Sequence, residues 1–113
     1  MKTASLTQNI EFQKGKPVIN VLFETDFTKE IRIAMQKGTT MKEHKTSHPI
    51  VVEIHEGEID FGIDGEIKNL KKGDLIALKA NQPHDLQAKE DSIVRLTLTK
   101  QDETKRVENV VNK

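Results

Sequence analysis

The sequence predicts an all-β domain, a sandwich or a closed barrel, and three observations carry that prediction. From Val18 to Thr99 apolar and polar residues alternate with period two, the pattern of half-buried antiparallel strands. Gly, Asn, Asp and Pro break the alternation at roughly 8 to 12 residue spacing, which sets a series of short strands. With 113 residues the chain has room for one core. Roughly eight or nine strands in one core must close or fold over to bury an apolar face.

Each element follows from its residues. Residues 1–17 form a polar N-terminal arm with a candidate short strand around Ile10 to Phe12, expected to be loose or to pair with another protomer's sheet edge. The barrel spans 18–100. Val18 to Glu24 and Glu30 to Met35 flank Thr25-Asp26-Phe27-Thr28 and read as a hairpin or as strands of neighbouring sheets. In the second run Ile31, Ile33 and Met35 share one face, opposed to Glu30, Arg32 and Ala34. Ile50 to His55 and Ile59 to Ile63 are joined through Glu56-Gly57-Glu58. Asp64-Gly65 is a two-residue hairpin signal because both residues tolerate φ > 0, and Glu66 to Leu70 pairs back after it. Lys72-Gly73 turns into Asp74 to Leu78, the loop Lys79 to Pro83 follows, and Ile93 to Thr99 closes the set. The tail, 101–113, is charged with Val107, Val110 and Val111 at helical spacing, so a short helix or disorder is expected there. By parity Ile33, Met35, Met41, Ile50, Val52, Ile54, Ile59, Phe61 and Ile63 fill or line the interior.

Charge and composition exclude several function classes. Eighteen Lys plus Arg balance eighteen Asp plus Glu, which leaves no basic excess for nucleic acid or for an anionic membrane. The absence of cysteine removes disulfides, thiolate metal sites and a cysteine nucleophile. Any metal must then be held by His, carboxylate or carbonyl groups. No serine sits in a nucleophile-elbow context and no glycine-rich phosphate loop is present. The stretch MKTASLTQNIEFQKGK lacks an apolar run, so neither a secretory signal nor a membrane anchor is expected and the cytoplasm is the default location.

The histidines hold the most information. Three of the four, His44, His48 and His55, fall within twelve positions, and His84 follows a Pro in a loop ahead of an expected strand. Strand residues two apart lie about 6.6 Å apart on one face, and four apart about 13 Å. Two imidazoles on one metal need nitrogens about 2.1 Å from it. His44 and His48 therefore share a metal only if the backbone bends, and Pro49 supplies a bend. His55 is out of phase with the face of His44, Ile50, Val52 and Ile54, which makes it a surface or dimer-contact residue. The same parity turns Glu43 and Glu53 outward, while Asp85 and Gln87, following His84 near the barrel mouth, read equally well as polar loop residues or, for the acid, as a group that orients an imidazole.

Gly38, His44, Gly57, Gly73-Asp74-Leu75 and His84, together with Asp64-Gly65-Glu66, resemble the two motifs of the small single-domain cupins over Glu30 to Leu98. The resemblance implies a double-stranded β-helix, or jelly-roll barrel, and homodimers. The family's first motif runs Gly, five residues, His, one residue, His, three or four residues, Glu, six residues, Gly. Here the second His position is Thr46 and the Glu position is Ile50. The second motif runs Gly, five residues, Pro, one residue, Gly, two residues, His, three residues, Asn, and here Lys79, Asn81 and Ala88 stand at the Pro, Gly and Asn positions. The three-His, one-Glu site of the family is thus incomplete.

Two readings of the site follow. In one, His44 and His84 are the polar groups of a ligand pocket with Thr46, Ile50, Val52, Ile54 and Phe61, and no cofactor is required. The protein is then a small-molecule-binding or sensing barrel with at most a weak metal-assisted activity. In the other, His44, His48 and His84 hold a divalent transition metal, Zn, Ni, Fe or Mn, in an isomerase, lyase or dioxygenase. A purely structural barrel that exists to dimerise is the third class.

Overall fold

The computed structural model describes residues 1–100; the expectation for the tail lies outside the described residues. Nine strands follow in order: β1 (Val18–Glu24), β2 (Thr28–Met35), β3 (Thr40–His44), β4 (Ile50–Glu56), β5 (Glu58–Ile63), β6 (Glu66–Lys71), β7 (Leu75–Leu78), β8 (His84–Ala88) and β9 (Ser92–Thr99). They form a five-stranded sheet of order β1-β2-β9-β4-β7 and a four-stranded sheet of order β3-β8-β5-β6. All pairings are antiparallel. Setting β1 aside, the chain crosses between the sheets after β2, β3, β4, β6, β7 and β8, which is the double Greek key of a jelly roll. The all-β double-stranded β-helix expected from the sequence is the fold.

Alternation builds the core. Ile50, Val52 and Ile54 of β4 stand opposite Leu98, Leu96 and Val94 of β9, and Ile31 and Ile33 of β2 continue the row. From the other sheet Ile59 and Phe61 of β5 with Leu86 and Ala88 of β8 meet them. Ile54, Ile59, Phe61 and Val94 are wholly buried. The hairpin reading of β1 and β2 holds, with Val18 opposite Ala34 and Glu24 opposite Lys29.

Two turns confirm their chemistry. Asp64 and Gly65 take φ of 53° and 76°, both in the left-handed region that their two-residue hairpin demands. Gly57 sits at φ 92° on the crossover from β4 to β5, where a Cβ would collide with the Ser92 hydroxyl and the Asp91 carbonyl. Glycine is required there twice over, by conformation and by contact.

Three expectations need correction. β3 and β8 are strands, so His84 opens a strand and does not sit in a loop ahead of one. No strand forms at Ile10 to Phe12; the arm holds one isolated bridge, Gln13 to Lys16. Nor is the arm loose within the chain. It folds on its own sheet, where the Arg32 guanidinium donates to the carbonyls of Ser5, Gln8 and Asn9 at 3.2, 2.9 and 3.2 Å. Arg32 and Glu30, on the outward face of β2, are consequently buried.

Candidate functional site

The site is assembled by cross-strand pairing. His44 ends β3 and His84 opens β8, and the register sets them directly opposite one another. Their ring centroids lie 4.4 Å apart at an interplanar angle of 60°, an edge-to-face contact. Phe61, in the neighbouring β5, stacks nearly parallel on His84 at 5.5 Å. Strict alternation does not allow Met41 and His44, three apart, to face the same way. A bulge between them, opposite Leu86 and His84, inserts the extra residue that re-aims His44 inward.

The loops brace these strands. Asn81, at the family's Gly position, keeps the left-handed conformation with φ 62°, which Asn reaches more readily than other side chains. Its N–H donates to the Thr46 carbonyl at 2.7 Å and ties the 79–83 loop to the 45–49 bend. The Gln82 amide donates to Asp64 Oδ2 at 2.9 Å, so the segment leading into His84 is held from a third side.

Both imidazoles are oriented by backbone carbonyls two residues upstream. His44 Nδ1 lies 2.7 Å from the Lys42 oxygen and His84 Nδ1 2.9 Å from the Gln82 oxygen. A carbonyl only accepts, so Nδ1 donates in each. Burial pushes the His84 pKa below its ordinary value, and the neighbouring His44 adds to the effect, while the Gln82 carbonyl and Asp85 act against it. Asp85 does not orient the ring. Its carboxylate lies against Gly62, on the opposite face of the sheet.

Ile33, Met41, His44, Ile50, Val52, Phe61, His84, Leu86, Val94 and Leu96 line a cavity of about 40 Å³. Of the pocket residues expected from the sequence, His44, Ile50, Val52, Phe61 and His84 reach it. Ile54 is buried in the core beyond it, and Thr46 belongs to the bend, where its hydroxyl donates to the His48 carbonyl. His48 is in that bend too, its Nδ1 2.9 Å from Ser47 Oγ. The bend at Pro49 therefore does not carry His48 into the cavity beside the other two rings. His55 turns outward as expected, 3.9 Å from Glu53, which also meets Arg95 at 3.8 Å.

The donor set does not fit the metal that the fold family implies. Among the described residues no group of three His, Cys, Asp or Glu is gathered closely enough to hold an ion. Ile50, fully buried on the cavity wall, supplies contact area and no lone pair where a carboxylate is needed. Two imidazoles remain.

A jelly roll with two inward histidines at one end defines a class of small β-barrel, and comparison places the chain within it. Residues 31–100 match the family model for the cupin domain (Cupin_2). The chain belongs to that family. The fold is shared with a cupin protein from Desulfovibrio desulfuricans at TM-score 0.80 and 22% identity, covering 88% of this chain and 96% of that one. A conserved protein of unknown function from Streptococcus pyogenes gives TM-score 0.75 and 24% identity over 88% of this chain and 87% of its own. A Cupin 2 conserved barrel domain protein from Leptotrichia buccalis is 30% identical at TM-score 0.73, covering 80% of this chain and 44% of that one. No curated protein matches the chain. Among the described residues no helix is long and apolar enough to cross a membrane.

Proposed function

We propose that this cupin barrel binds a small organic molecule in the cytoplasm, as a ligand-binding or sensing unit with no metal at its centre. The observation that carries the reading is the His44–His84 pair, two rings 4.4 Å apart in an otherwise apolar cavity. Few polar groups converging in apolar surroundings is the usual form of a small-molecule site. At about 40 Å³ the cavity admits one small group of the ligand, since whole-ligand pockets run to about 300 Å³ or more. The rest of the molecule lies over the mouth, where His44 and Met41 are half-buried. The metal-dependent alternative needs a third imidazole, and His48 stands in the bend instead.

With no Trp or Tyr in the chain, intrinsic fluorescence will not report binding, so histidine-ring NMR is the readout. Pools of small alcohols, amides, acids and sugars should include at least one that shifts the His44 and His84 resonances. The shift should survive EDTA. Loss of the response on chelation, or silence to every pool, contradicts the reading.

The proposed macromolecular partner is a second copy of the chain. β1 is an edge strand, and its Ile19 and Val21, opposite Ile33 and Ile31, continue the inward row yet remain 54% and 56% exposed. Antiparallel pairing of two β1 edges about a two-fold axis is self-complementary and covers both rows. Sedimentation equilibrium should give a dimer that Val21→Lys dissociates; a monomeric wild-type chain contradicts the proposal.

A further inference from the structure

Resting on the reading of this cavity as a ligand site, we infer that it recognises a neutral hydrogen-bond donor, a hydroxyl or an N–H group, and rejects a carboxylate. Donor and acceptor accounting leads there. The Lys42 and Gln82 carbonyls consume the Nδ1 protons of His44 and His84 at 2.7 and 2.9 Å. A neutral imidazole has one ring proton, so Nε2 of each ring is left as a lone pair. No described residue donates to either Nε2. Every other residue of the lining is apolar: Ile, Met, Val, Phe and Leu side chains.

The cavity thus offers acceptors and no donors. A carboxylate entering it gives up its hydration and meets lone pairs, with no compensating bond. A hydroxyl or amide N–H gives up less and recovers a hydrogen bond from a group that was waiting for one. The edge-to-face rings lie 4.4 Å apart between centroids, so both imidazoles border one small space. The volume sets the same limit, about 40 Å³, against roughly 30 Å³ for a single water in the liquid. The nearby acids do not change the balance. Asp85 lies across the sheet against Gly62, and Glu43 borders a separate cleft with Asp64 and Glu66.

Formamide and formate test this directly, because they share shape and size and differ in an NH₂ group against a charged oxygen. The full chain, labelled with ¹⁵N-histidine, is titrated with each at about pH 8, above the ordinary imidazole range. Formamide should shift Nε2 of both His44 and His84, with an apparent affinity at least about tenfold above that of formate. Met41→Ala, which enlarges the cavity at its half-buried rim, is titrated in parallel so that a tight fit does not mask binding. Equal or stronger binding of formate, or a spectrum that puts the proton on Nε2, overturns the donor inference and leaves the ligand site standing. Silence to both probes in both proteins overturns the ligand site itself.

Discussion

His84 couples the site to pH. Burial, aided by the neighbouring His44, holds its pKa below the ordinary 6.5, so the unfolded chain takes up the proton first as pH falls. The stability that the neutral ring contributes is whole above about 6.5 and is lost as pH drops from there through the lowered folded value. Denaturant titrations at about pH 8 and about pH 5 should therefore show a larger loss for the wild-type chain than for His84→Gln, which has no proton to gain. Equal losses in the two proteins contradict this. The same residue shows where sequence reading stops. In β8 the inward residues are His84, Leu86 and Ala88, a true alternation, but its first member is polar and its last is small. Hydrophobic periodicity does not register such a strand. The substitutions at Thr46 and Ile50 were legible by position alone, because each is a single letter at a motif site.

Among the elements, every strand but β3 and β8 is legible in the sequence, β7 included although it is the shortest. β4 and β5 alternate clearly, buried against more exposed, as strands over a half-buried face do, and β1, β2, β6 and β9 are legible as runs bounded by turn residues. β3 is five residues with a bulge, and the extra residue breaks the parity on which such reading depends. The arm was unreadable for a different reason. Its attachment is mostly backbone carbonyls on Arg32, with Lys2 Nζ donating to the Glu24 carbonyl at 2.6 Å, and carbonyls leave no trace in side-chain identity. Arg32 is buried beneath the arm it holds, with a further bond to Asn20 Oδ1 at 3.3 Å. Arg32→Met should release the arm at a cost of about 1–3 kcal/mol. Limited proteolysis reports it: new cuts within 1–17 are expected while 18–100 resists. An arm as resistant as in the wild-type chain contradicts the role given to Arg32.

At the scale of the molecule, the barrel keeps the family's frame and changes what the frame encloses. The glycine at Gly57, the Asp64-Gly65 hairpin and the left-handed Asn81 preserve the backbone path that brings β3 and β8 together. Two imidazoles survive at their meeting point, while a buried isoleucine and a bend threonine occupy the places of two ligands. The frame is stabilised by alternation and turns, so losing ligands does not disturb it. The most direct test is metal loading of untagged full-length protein, by dialysis against Zn, Ni, Fe(II) or Mn followed by gel filtration and elemental analysis. The account predicts strongly substoichiometric retention that His44→Ala leaves unchanged. One equivalent of metal per chain, lost in His44→Ala, would contradict it.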